Sequence, residues 1–299
     1  MRNKKFEAII YVLVAICTIL SLIPSFFGFL LAFQKEANIP HMFDGPKEFF
    51  AGLTFENFAK ITKRAPYLLT WIKNSFIVSI TQTVLYIFIA SLAAFAFTRL
   101  KFKGQKLIFS ICLISMVIPG VINIVPNFVI ITELGLYNSV WAMILPGLSG
   151  VGGVFLLRQF MMDIPKDFDE AARMDGATNF QIYSKVIMPM CKPVVISLVL
   201  FTFQGTWNDF LWPMIVTDSD EFRTVASGLY LTIMSDTTMK GLLMASAMIS
   251  AIPIVVIFIF GQKYFVEGMN GGVKGWLKKK MLNISHTLIH NLEETIFEF

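Results

Sequence analysis

The chain has 299 residues, of which 56% are hydrophobic and 15% charged, with 30 phenylalanines and a formal net charge of +5. That balance excludes a soluble globular domain, which would not tolerate so much apolar surface, and reads as an integral membrane protein. The basic excess calls for no nucleic acid, because short Lys- and Arg-rich loops beside membrane spans are how topology is written in a sequence.

By the criterion of ~20 apolar residues to cross a bilayer, six spans are predicted, over residues 8–33, 75–98, 107–131, 139–157, 194–217 and 241–262. The first follows Arg2, Lys4 and Lys5. Its apolar run is about twice the length of a signal-peptide core and no A-x-A cleavage pattern follows, so it reads as an anchored helix. With both termini inside, 17 of the 25 Lys and Arg residues fall in the N-terminus, the 99–106 loop, the 158–192 loop and the C-terminal tail. The positive-inside rule therefore places those four segments in the cytoplasm. The loop from Gln34 to Lys73, with Pro40, Gly45 and Pro46 and a short amphipathic stretch at 53–61, then lies outside and is long enough to touch an external partner.

The second span carries small residues, Ser91, Ala93, Ala94 and Ala96, which let membrane helices pack closely. It ends in Arg99, Lys101, Lys103 and Lys106. Pro119, Gly120 and Pro126 interrupt the third. A broken helix is tolerated in lipid only where a cavity or neighbouring helices satisfy the freed backbone groups, so this segment reads either as part of a translocation path or as a kinked packing helix.

Residues 164–190, IPKDFDEAARMDGATNFQIYSKVIMPM, form a polar insert between two apolar runs. Pro165 interrupts the preceding helix, and Asp167 with Glu170 has the spacing of a capping box. Ala171 and Ala172 keep the surface of the new helix thin, and Gly176 suits the left-handed residue that ends it. Thr178 and Gln181 form a second capping box, and Pro189 is expected to stop the helix that follows. Two short helices joined at a glycine make a rigid knob. A bare amphipathic hairpin lying on the membrane surface is the simpler alternative.

In the fifth span Gln204, Trp207, Asn208 and Asp209 stand beside Phe203, Phe210 and Trp212. Intramembrane polar groups are costly unless they face a partner or water. Amide, carboxylate and aromatic groups together suit a neutral polyhydroxy ligand, although a Trp near the interface also serves as a belt anchor. Cys17, Cys112 and Cys191 show no C-x-x-C spacing, so neither a disulfide framework nor a metal knuckle is indicated. His286 and His290 are four apart but lack the adjacent Glu of a metalloprotease helix, and no metal site is expected.

Three segments together, NSF…ASLAAFAFTRLKFKG, EAARMDGA followed by TWNDFLWP, and YFVEGMNGGVKG, resemble the carbohydrate-importer permeases of the ABC class, similar to the six-span subunit of the maltose transporter. The resemblance covers residues 5–275, with Val186 and Met188 replacing the Ile and Leu of the family signature, both volume-conserving swaps. It implies an all-α type I importer permease of six transmembrane helices with a cytoplasmic coupling hairpin, in the bacterial cytoplasmic membrane. It implies a second homologous permease, two ATPase subunits that bind ATP and Mg, and an external sugar-binding protein that delivers a carbohydrate. By the same resemblance Glu170, Ala171, Ala172, Asp175, Gly176 and Pro189 belong to the ATPase-coupling hairpin, and Gly271, Gly272 and Gly275 lie near the ATPase dimer interface. Similar permeases usually stop near Gly275, so 1–275 is expected to be the permease domain and 276–299 a cytoplasmic extension. No G-x-x-x-x-G-K-[ST] phosphate loop occurs in the chain, so ATP hydrolysis belongs to a separate protein and this subunit is expected to be non-catalytic. The competing reading, a secondary transporter or channel, would require inverted repeats or intramembrane ion-coupling carboxylates, for which Asp209 is the single candidate.

Overall fold

Three helices are each long and apolar enough to cross a membrane in the computed structural model, which describes residues 4–234 and 238–259. They lie within α1 (Lys4–Ala32), α2 (Leu68–Arg99) and the last described helix, Lys240–Ile259. Three further pairs pass the same test only when a bend is allowed. α3 (Gln105–Ser115) and the segment Gly120–Glu133, whose helix α4 is Ile124–Glu133, meet at 96°. Segment Val140–Ser149, opened by α5 (Val140–Ile144), and α6 (Gly152–Met162) meet at 45°. α8 (Asn179–Met190) and α9 (Lys192–Asn208) meet at 79°, and between α6 and α8 lies the short α7 (Asp167–Met174). Counting each bent pair as one span gives up to six by length and composition, the number expected, although the α8–α9 pair takes in the second arm of the 164–190 hairpin, which the sequence places outside the spans. Among the described residues there is no strand, only an isolated bridge between Gln34 and Leu53.

Several boundaries differ from the sequence expectation, each for a local reason. The third span breaks at Pro119, where the ring removes a donor and pushes the preceding residue out of the helical region. Pro126 does not break it, because it falls in the first turn of α4, where its missing N–H is not needed. The fifth span was expected to run to residue 217; instead α9 ends at Asn208 and α10 (Leu211–Val216) begins afresh. Asp209 Oδ1 accepts the Trp212 N–H at 3.3 Å, and Pro213 offers no donor to the carbonyl of residue 209, so the helix restarts there. Pro189 does not stop α8 either. A π-helical turn over Ile182–Ile187 runs straight into Met188–Met190, and the break falls at Cys191.

The described residues divide into two compact units, the first taking those up to Ser75 and those from Asp209 to Val255, the second those from Phe76 to Asn208 and from Val256 on. In the first, the start of α2 is fastened by polar side chains rather than left to lipid: Trp71 Nε1 donates to the Asp220 carbonyl at 2.7 Å and Asn74 Nδ2 to those of Glu221 and Arg223 at 2.7 and 3.0 Å. The helix begins at Leu68, ahead of the apolar span expected from residue 75. Glu36 caps the N-terminus of the last described helix, which is α11, accepting the Lys240 and Gly241 N–H groups at 2.8 and 2.9 Å. α1 leaves nearly all its apolar side chains exposed, from Ile9 to Phe29, as suits a helix whose solvent is hydrocarbon.

In the second unit one core joins α2, α6, α8 and α9 through Tyr86, Ala90, Ala94, Phe95, Leu157, Met161, Ile164, Ile182, Ile187 and Leu198, all buried. Of the small residues of α2 read from the sequence, Ser91 and Ala94 are fully buried here, with Ala90 beside them, so neighbouring backbones approach closely, while Ala93 and Ala96 are half-buried. Gly153 marks the tightest approach, its N–H donating to the Tyr86 hydroxyl at 2.7 Å, while a Cβ would come within 2.7 Å of that same oxygen.

Candidate functional site

The hairpin of α7 and α8 is built by short-range rules. Asp167, Asp169 and Glu170 occupy the first turn of α7 and Arg173 its last, the arrangement that complements the helix dipole at both ends. The expected capping box of Asp167 and Glu170 does not form. Lys166 is the N-cap and makes no side-chain bond, so Asp167 is already the first helical residue and acts on the dipole rather than as a cap. At the other end Gly176 has φ +80°. Its N–H bonds the Arg173 carbonyl at 3.0 Å and the Ala177 N–H bonds that of Ala172 at 2.9 Å, the paired closure of a Schellman motif. Thr178 and Gln181 form the predicted reciprocal box, Thr178 Oγ1 accepting the Gln181 N–H at 3.3 Å and Gln181 Oε1 the Thr178 N–H at 2.8 Å. Arg173 Nη2 donates to Asn179 Oδ1 at 2.8 Å and ties the two helices together.

One side of this knob is anchored and the other bare. Ala172, Val186 and Met188 pack on the core, which is how the two signature replacements are absorbed. Glu170, Ala171, Asp175, Gly176 and Pro189 are exposed. Beside them stand three large apolar side chains that sequence reasoning did not single out, Met174 at 89% exposure, Phe180 at 64% and Phe168 at 48%. Phe168 and Met174 stand among the charged residues of α7 and Phe180 in the first turn of α8; an amphipathic reading would bury such side chains, while α7 buries Asp169 instead, so nothing in the pattern marked them as exposed. An exposed apolar patch rimmed by charge marks a protein contact.

The hairpin is also held by an ion pair that the sequence did not reveal. Arg99 Nε lies 2.8 Å from Asp169 Oδ2, with side-chain exposures of 3% and 10%. Arg99 Nη2 donates to the Ile164 carbonyl at 2.9 Å. A cleft of about 930 Å³ opens beside the pair, lined among others by Lys101, Lys166, Asp169, Glu170 and Arg173.

The four residues of the fifth span are separated by the fold. Gln204 and Asn208 are exposed on one face of α9 together with Phe201 and Gly205, a stripe at helical spacing. Trp207 instead is 1% exposed, its ring edge-on to Phe76 at 4.8 Å and stacked on Phe203 at 5.7 Å. It offers no open face to a ligand in this structure, because two aromatic rings already cover it. Asp209, just before the N-cap Phe210, accepts the Trp212 N–H in the first turn of α10. Gly271, Gly272, Gly275, the 276–299 tail and the His286 and His290 pair lie outside the described residues.

Apolar helices long enough to cross a membrane, three of them as bent pairs, together with a short charged hairpin fit a membrane permease, and comparison with known proteins agrees. The family model of the binding-protein-dependent transport system inner membrane component matches residues 86–271. The chain is 35% identical over 224 residues to the arabinooligosaccharides transport system permease protein of Halalkalibacterium halodurans, covering 75% of this chain and 80% of that one. It is 30% identical over 234 residues to the maltodextrin transport system permease protein of Bacillus subtilis, covering 76% and 83%. The crystal structure of a bacterial ABC transporter that imports the acidic polysaccharide alginate shares the fold, with a TM-score of 0.74 at 23% identity over 89% of this chain and 98% of that one. The chain belongs to the family of binding-protein-dependent transport system inner membrane components, the permeases of ABC importers.

Proposed function

We propose that the chain is the non-catalytic permease subunit of a sugar importer, working with a second homologous permease, two ATPase subunits that bind ATP and Mg, and an external sugar-binding protein. The carrying observation is the hairpin: a stiff, doubly capped knob, bare on the side bearing Glu170, Ala171, Asp175 and Gly176 and anchored on the other. Closure of the ATPases would pull on this knob and rotate the helices about a central site, exposing it alternately to either side of the membrane. The carbohydrate class is supported by the substrates in the names of the two relatives and by the amide stripe of Gln204 and Asn208. Gly271, Gly272 and Gly275 are assigned to the ATPase interface, residues 1–275 to the permease domain, and 276–299 to an extension dispensable for it.

Purifying the chain from its own membranes tests the composition. The expected result is a stable partner permease of similar size together with an ATPase, and recovery of the chain alone from gently solubilised membranes would overturn the proposal. Both termini are assigned to the cytoplasm. A cysteine placed at Lys103 should label from inside only and one at Asp44 from outside only, and the reverse pattern would contradict the orientation.

Asn208 and Trp207 should respond oppositely. Asn208→Leu removes a hydrogen-bonding group worth about 1–1.5 kcal/mol, so uptake should fall about tenfold at unchanged assembly. Trp207→Ala empties a packed aromatic cluster and should cost about 3–5 kcal/mol of stability, seen as loss of assembled complex. Uptake by assembled protein and complex yield, measured on the same preparations, separate the two.

A further inference from the structure

Arg99 ends α2, a helix of 32 residues without an internal break, and its guanidinium holds the hairpin at two points. Nε meets Asp169 in the first turn of α7, and Nη2 bonds the carbonyl of Ile164, the residue that leads into Pro165. The second arm of the hairpin rests on the same helix, where the Tyr183 hydroxyl lies 2.8 Å from Ser91 Oγ and its ring meets Phe95 edge-on at 5.5 Å. Ring and hydroxyl contacts of this kind tolerate small slips. The guanidinium ties the hairpin at two points, by charge to Asp169 through Nε and by a hydrogen bond to Ile164 through Nη2, and a lysine ammonium, a compact point charge, would not span both in the same geometry.

The pair is also exposed to loss. Asp169 Oδ1 and Arg99 Nε are both buried without a hydrogen-bond partner, so the two groups depend on each other's charge at 2.8 Å, and removing either member leaves a charge uncompensated out of water. Because α2 continues without a break from Arg99 back to Leu68, whatever displaces Asp169 and Ile164 together displaces the end of a membrane-spanning helix.

We infer that Arg99 and Asp169 are positioning residues through which movement of the hairpin is passed to α2, an inference that rests on the coupling reading of the hairpin. Neither touches nucleotide or sugar. They act by keeping the knob and the helix a single rigid part.

The test uses the complete complex in membrane vesicles, with a mixture of arabinooligosaccharides and maltodextrins as transport probe, and compares Asp169→Asn, Arg99→Lys and the exchanged pair Arg99→Asp with Asp169→Arg. Two quantities are read: sugar taken up per ATP hydrolysed, and hydrogen exchange of the backbone amides of residues 167–177. Each single variant should lower uptake per ATP about tenfold or more with the ATPase still membrane-bound, and should speed exchange by a similar factor. The exchanged pair should recover part of the uptake ratio. If Asp169→Asn reduces assembly, Arg99→Lys, which keeps the charge and loses the fork, carries the comparison. Uptake and hydrolysis falling together at a constant ratio would show a merely structural pair and overturn the inference. Wild-type exchange in both single variants would overturn it as well, even where the wild-type complex moves no sugar, whereas wild-type complex whose ATP hydrolysis does not respond to its binding protein sinks the coupling reading instead.

Discussion

Replacing Gly176 with valine should abolish uptake while the ATPase subunits continue to hydrolyse ATP. Gly176 sits at φ +80°, a conformation that strains a β-branched residue by about 1–3 kcal/mol. A Cβ there would meet nothing within 4 Å, so the penalty is one of backbone conformation and not of space. That separates two substitutions of similar size. Asn tolerates the left-handed region and Gly176→Asn should keep most of the transport, whereas Gly176→Val should relieve its strain by unwinding the Schellman closure between Arg173 and Ala177, tilting α7 against α8. Uptake and membrane-bound ATPase, assayed in the same vesicles, give the comparison; normal uptake by the valine variant would show that the stiffness of the knob is irrelevant.

The second large effect is expected from Glu170→Lys. Glu170 is exposed in the first turn of α7, where the dipole favours a carboxylate by about 0.3–1 kcal/mol, so reversal of its charge leaves the fold of the chain in place. Where a basic group of the partner meets Glu170, the same reversal sets like charges against each other, at a cost of several kcal/mol. The ATPase should therefore wash off the membrane, with about 100-fold weaker retention or more. Sedimentation of the ATPase with membranes, at increasing salt, reads this directly. Retention equal to wild type would remove Glu170 from the interface.

The features of the hairpin that were legible in the sequence are those decided within a few residues. A left-handed glycine after a short helix and a reciprocal Thr–Gln box are set by backbone donors three or four positions away, and both stand where Gly176, Thr178 and Gln181 place them. Proline was legible by position in an element and not by identity alone: Pro119 breaks its span, Pro126 is absorbed in a first turn, and Pro189 is passed over because the π-helical turn before it postpones the break to Cys191. The D-x-x-E pattern misled because Lys166 already takes the cap and turns Asp167 into a first-turn residue.

What the sequence could not show are pairings made across the chain. Nothing local distinguishes Arg99 from Lys101 and Lys103, yet only the first reaches Asp169 and Ile164 in the fold. Trp207 reads as a ligand-facing aromatic because it stands beside amides; the rings that enclose it, Phe76 and Phe203, come from α2 and from one turn back on α9. The same holds for the first turns of α2, where Trp71 and Asn74 are tied to the carbonyls of Asp220, Glu221 and Arg223.

The claim that this permease is driven through its hairpin by a partner ATPase is tested most directly by uptake into sealed vesicles carrying the complete complex. With binding protein outside and the arabinooligosaccharide and maltodextrin mixture as probe, uptake should require ATP on the hairpin side and vanish in Gly176→Val vesicles, whatever ion gradient is imposed. Uptake that proceeds without ATP, follows an imposed proton or sodium gradient and survives the Gly176→Val change would contradict the account and identify a secondary transporter.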